Sequence, residues 1–170
     1  MKRTVALFLT LALMIGLAST AFAVPDTVKF DSTKSFLQKL DDESLNYTLV
    51  GVEDSGEEHV RLGSTIVDDN HNVTFQFFFN EDGRRVTIIV WNLIDFDAAN
   101  LEQMYKICNE LNAGWKYASF YVDESDNSIT VSCDMVFTPE TAGDVLYEVM
   151  MRLYNVMKSA LTDTLLSYAK

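Results

Sequence analysis

The run Val73-Thr74-Phe75-Gln76-Phe77-Phe78-Phe79 alternates with period two and places Val73, Phe75, Phe77 and Phe79 on one face. Four large apolar side chains along one side of a strand need a covering layer, and a lone strand has none. Asn80-Glu81-Asp82-Gly83 follows as a hairpin turn, with Gly83 free to take a positive φ. The next stretch, Val86 to Ile94, is apolar on both faces: Val86, Ile88, Val90 and Ile94 against Ile89, Trp91 and Leu93. Such a strand is expected to be covered from two sides. The chain is thereby committed to a sheet of hairpin-linked strands with helices packed on it.

The remaining elements fit around that hairpin. Asp31 or Ser32 can cap a short helix carrying Phe36, Leu37 and Leu40. Strands are expected from Tyr47 and over His59 to Val67, with turns at Gly56 and at Asp68-Asp69-Asn70-His71-Asn72. Asp97 or Asn100 caps a second helix whose Leu101, Met104, Cys108 and Leu111 share a face, and Gly114 reads as its terminating glycine. A second hairpin joins Ala118–Val122 to a strand bearing Ile129, Val131, Cys133, Met135 and Phe137. Thr138-Pro139 then opens a long closing helix. The order is α-ββββ-α-ββ-α, an α+β domain with an antiparallel sheet and a long C-terminal helix.

That last helix carries two apolar stripes when its residues are set at 100° steps. Ala142, Val145, Leu146, Val149, Leu153, Val156, Met157 and Ala160 are expected to cover the sheet. Tyr147, Met151, Tyr154, Leu161 and Leu165 form the second stripe, interrupted by Lys158, with the 4-3 spacing of a helix seam. Leaving such a stripe in water forgoes about 1.5–3 kcal/mol for each large side chain that could be buried. It is covered by the short helix around Phe36–Leu40, or forms the interface of a homodimer or a protein partner, or is simply core in a helix slightly misphased by the 100° reading. Two tyrosines and a methionine suit an interface.

The N-terminus carries an address. Lys2 and Arg3 precede an apolar run from Val5 to Leu17, and small residues ending in Ala21-Phe22-Ala23 follow. This is the pattern of a secretory signal peptide over residues 1–23, leaving a single domain over 24–170 that is periplasmic or extracellular. The chain has 13 Lys plus Arg against 25 Asp plus Glu, a net charge of −12, and losing Lys2 and Arg3 makes the product two units more negative. Such a charge repels nucleic-acid backbones and anionic membranes. Two cysteines remain, Cys108 and Cys133. Both fall on apolar faces, where they form a disulfide or stay as buried thiols.

No catalytic or metal-ligating constellation emerges. His59 and His71 lack zinc-ligand spacing, and no nucleophile elbow, phosphate loop or dinucleotide fingerprint is present. The acidic turns Asp68–Asn70 and Asp123–Asn127 lack the ligand order of a calcium loop and read as solvated hairpin ends. The expectation is a protein without enzymatic activity or cofactor. A carrier of a small apolar ligand is the alternative, with Phe75, Phe77, Phe79, Trp91 and Trp115 lining a pocket.

One segment points to a family. Leu101 to Asn112 ends in Asn109-Glu110-Leu111-Asn112, and Ala118-Ser119-Phe120-Tyr121-Val122-Asp123 follows with an Asp/Asn turn and a second strand. Together with the helix after Thr138-Pro139, this resembles the bacterial YbjN-like family over about Phe30 to Leu165. The resemblance implies the fold of type III secretion chaperones, a twisted antiparallel sheet flanked by helices, often dimeric. It also implies a protein-binding or regulatory module, and it carries over no catalytic residue.

Overall fold

A computed structural model describes residues 26–52, 56–66 and 71–170. The leader 1–23 and the turn Asp68–Asn70 lie outside the described residues. Helix α1 (Asp31–Asp42) precedes four strands, β1 (Thr48–Val52), β2 (Glu58–Ile66), β3 (His71–Phe79) and β4 (Arg85–Asp95). Helix α2 (Leu101–Gly114), strands β5 (Ser119–Asp123) and β6 (Ser128–Val136), and helix α3 (Ala142–Asp163) complete the domain. The sheet is antiparallel in the order β1-β2-β3-β4-β6-β5, so the α+β architecture and element order follow the sequence pattern.

Alternation decides which face is dry. Register pairs Val60 with Phe77, Phe77 with Ile88, Ile88 with Cys133, and Val131 with Phe120, and all of these are buried. Helix α1 lies on this face, with the Phe36 ring 4.6 Å from that of Phe77 and 5.8 Å from that of Phe79. Helix α3 packs beside α1 in the same layer. The two helices meet at Gly143, whose backbone N–H donates to Ser35 Oγ at 3.1 Å. That bond satisfies one of the amides that the first turn of a helix leaves unpaired.

The other helix starts differ from the expected local caps. Neither Asp31 nor Ser32 caps α1. The buried carboxylate of Glu58, on β2, instead accepts the backbone N–H groups of Lys29 and Phe30. A carboxylate at a helix N-terminus also meets the positive end of its dipole. Asn100 makes no side-chain cap at the start of α2, which is entered through a short 3₁₀ turn. Gly114 remains within the helix, which ends by passing into extended backbone at Trp115.

One end of the sheet is closed by a side chain. Asn112 on α2 donates from Nδ2 to the carbonyl of Phe120 at 2.8 Å and accepts its N–H on Oδ1 at 2.7 Å. The carboxamide thus imitates the next strand and occupies part of the β5 edge, which would otherwise offer pairing to another chain. Asn112→Ala is expected to cost about 1–2 kcal/mol, because two hydrogen bonds pass to water. It should also introduce concentration-dependent association, read by light scattering alongside chemical denaturation. An unchanged midpoint together with an unchanged molar mass would deny the edge-closing role.

Candidate functional site

The structure brings the residues of the second stripe to different ends. Leu161 and Leu165 are fully buried in the core of the same protomer. Tyr154 donates its hydroxyl to the carbonyl of Thr65 at 3.1 Å. Tyr147 lies under Lys39 of α1, whose ammonium is 5.2 Å from the ring centroid, and its hydroxyl donates to Glu43. Only Met151 of the five is exposed. The buried line of α3 runs through Leu146, Met150, Leu153 and Met157. Met150, which belongs to neither stripe of the sequence reading, is thus part of that line. The helix is therefore apolar across a wide arc because α1, the sheet and a groove each take part of it.

That groove lies between α3 and the segment after α2. It encloses about 280 Å³ and is lined mainly by Trp115, Tyr117, Met135, Val145, Val149 and Val156. Tyr117 is 64% exposed at its mouth. Val145 also borders the neighbouring depression that holds Val136, which is 74% exposed. Three valines assigned by periodicity to the sheet-facing stripe are thus half-buried against the core and also line an accessible trough.

A second surface, exposed at Trp91 and Tyr121 and buried at His59 and Thr130, is the sheet face opposite α1. Strand β4 was expected to be covered from two sides, but Ile89 is half-buried and Trp91 is 41% exposed. Rings run across three strands here. His59 stacks on Phe78 at 4.2 Å, and Phe78 meets Trp91 edge-on at 5.8 Å. Tyr121, on β5, is 41% exposed on the same face. Burial, followed by the charge of Asp123, raises its phenol above the usual range. Polar groups between the rings are already paired. Gln76 Oε1 accepts from Arg61 Nε at 3.1 Å and lies 3.0 Å from His59 Nε2, and Thr87 donates to Asp134 at 2.7 Å.

The irregularity beside Trp91 shapes this face. Pairing between β4 and β6 slips between Val90 and Ile94, and Asn92 adopts φ 51°. Its carboxamide donates to Asp126 Oδ2 at 3.0 Å, which holds the bulge against the β5–β6 turn. His71 bridges to the Leu93 carbonyl from β3. Bulges of this kind re-aim side chains and recur near binding sites.

The five aromatics of the carrier reading do not line one pocket. Phe75, Phe77 and Phe79 are buried in the core, Trp91 lies on the opposite sheet face, and Trp115 borders the groove. Cys108 and Cys133 are buried free thiols, and burial pushes each up to about 11. A thiol held protonated is a poor nucleophile. Asp123 accepts the Ser125 hydroxyl at 2.6 Å and its N–H at 2.9 Å, bonds that hold its carboxyl below the usual range. Among the described residues, no group of three or more His, Cys, Asp or Glu is placed to hold a metal ion. No helix among them is long and apolar enough to cross a membrane.

Comparisons with known proteins agree with this architecture. The sequence profile of the YbjN family, described as "Putative bacterial sensory transduction regulator", matches residues 43–165. Among solved structures, the chain is similar to YbjN from E. coli, described as "a putative transcription regulator". The TM-score is 0.52 at 11% identity, over 81% of this chain and 94% of that one, a likeness of fold. No curated protein matches.

Proposed function

This chain belongs to the YbjN family, and from that premise we propose that it is a non-catalytic regulatory module acting by contact with another protein. The observation that carries the reading is the sheet face opposite α1, where Trp91 and Tyr121 are each 41% exposed and Trp91 meets the half-buried Phe78 edge-on. Aromatic residues are enriched at protein interfaces, and exposed apolar patches mark them. The net charge of −12 favours a protein partner over a phosphate backbone. Asp95, Asp126 and Asp134 are exposed on the neighbouring strands and turn, so the partner that fits presents apolar side chains within a basic rim.

Export is part of the proposal. The leader from Met1 to Ala23 supports a place outside the cytoplasm, and the protein isolated from its host should begin at Val24. A product that retains Met1 in the cytosolic fraction would remove this part of the reading. Self-association is the other part. Since α1, β2 and the core occupy four residues of the second stripe, a homodimer would use the sheet face or Met151.

A photo-crosslinking residue at position 121 of the full chain, expressed in its host, is expected to yield a discrete protein adduct. The same residue at exposed Thr162 should yield none. Trp91→Glu should reduce the adduct at least tenfold while the circular dichroism spectrum stays that of the folded protein. The reading fails if no adduct forms at 121, if both positions give the same products, or if Trp91→Glu leaves the adduct intact. An adduct with the mass of two copies of this chain identifies the partner as a second protomer.

A further inference from the structure

The groove beside α3 differs from the sheet face in its charge. Lys116 borders it and has no ion pair or hydrogen bond among the described residues. Arg152 borders it too, with Nη2 2.5 Å from Glu148 Oε1 in a pair that is more than half exposed. Two cations to one anion make the lining locally positive in a chain of net charge −12. Behind these charges the surface is hydrocarbon and aromatic, from Trp115, Met135, Val145, Val149 and Val156. An apolar trough bordered by a cation that has no partner among the described residues is complementary to a molecule with one alkyl chain and one anionic head.

We propose that the groove binds a free single-chain anionic amphiphile of the medium-chain fatty carboxylate class. Its chain lies against the valines of α3 and its carboxylate sits at Lys116. The volume of about 280 Å³ falls just below the usual range of small-molecule pockets, about 300–1,000 Å³, and matches one short chain better than a diacyl lipid. The site shares no lining residue with the sheet-face rings, so this inference stands apart from the protein-contact reading.

Trp115 reports on the groove directly. The chain has two tryptophans, so Trp91→Phe leaves Trp115 as the sole indole emitter. Titrating that variant with decanoate below its micellar concentration should give a saturable change in emission. Octanoate should bind roughly tenfold more weakly, because two methylenes fewer leave water. Decyltrimethylammonium should bind about two- to fivefold more weakly than decanoate, the scale of a partly exposed charge pair. Lys116→Glu, a surface change outside the core, should reverse the order of the two headgroups, and Val149→Glu should abolish both. Trp91→Glu, examined by calorimetry, should leave decanoate affinity unchanged even where it removes the protein adduct. The proposal is overturned if decanoate gives no saturable change, or if both headgroups bind equally before and after Lys116→Glu. It is also overturned if light scattering shows a dimer that Val149→Glu splits, since a second copy would then occupy the groove.

Discussion

Replacing Gly143 by alanine is expected to lower the stability of this protein by about 1–3 kcal/mol, although alanine is ordinarily the better helix former by up to about 1 kcal/mol. The collision decides the sign. A Cβ at this position would lie 2.6 Å from the backbone oxygen of Ser35, with Ser35 Oγ at 3.1 Å and Lys39 Cβ at 3.2 Å. A side-chain tip could swing away, but a carbonyl within a helix moves only if α1 moves. Displacing α1 disturbs Phe36 over Phe77 and Phe79, and it strains the bond from the Gly143 N–H to Ser35. Gly114→Ala provides the contrast. It sits at the end of α2 with nothing within 4 Å of the added Cβ, so the same substitution should be neutral or slightly stabilising. Denaturant unfolding of the two variants should therefore give shifts of opposite sign, or a large loss beside none. If Gly143→Ala matches or exceeds the native midpoint, the contact between α1 and α3 is looser than its geometry indicates. Ser35→Ala should not rescue Gly143→Ala, since the closest atom belongs to the backbone.

Elements with one buried face were the most legible in the sequence. Val73, Phe75, Phe77 and Phe79 alternate because the register of β3 is set by a dry side and a wet side, and a slip of one residue would exchange them. Gly83 was readable for a local reason, a turn that takes φ 64°. Helix α3 was less readable because its apolar arc is shared among three neighbours, so a moment drawn from sequence separates two stripes and omits Met150, which is buried. The groove was hidden for the same reason, since a half-buried valine and a core valine have identical side chains. Glu58 gave no sequence signal for its role. The amides it holds lie 28 and 29 positions away, and only tertiary structure brings them together. Asn112 belonged to the quoted family segment, but its bond to Phe120 needs α2 laid along the edge of β5. Trp91 misled in the opposite direction. An apolar residue on the second face of a strand implies a cover, and here it lies exposed.

The two thiols should make this protein sensitive to alkali. In the unfolded chain a cysteine loses its proton near pH 9, whereas burial holds Cys108 and Cys133 protonated up to about 11. Between those values the folded state binds more protons than the unfolded one, so stability falls as pH rises. The loss approaches about 1.4 kcal/mol per pH unit for each fully coupled thiol, begins near pH 9 and levels off above pH 11. Below pH 9 both states are protonated and the thiols confer no pH dependence. Tyr47 and Tyr121, raised chiefly by burial, and Tyr105, raised chiefly by its hydrogen bond to Glu124, titrate in the same direction. The control is therefore the double variant Cys108→Ala with Cys133→Ala, which should lose most of the slope between pH 9 and 11 while retaining the tyrosine part. Reactivity gives an independent measure. At pH 8 a two-unit difference in pKa leaves about 100-fold less thiolate in the folded protein, so iodoacetamide should modify the native chain at least that much more slowly than the denatured one. Rapid native alkylation would place at least one sulfur at an accessible surface. A mass lower by two hydrogens, with no alkylation after denaturation, would mean that the thiols had joined. Either result would contradict two separate protonated sulfurs serving as packing within the core.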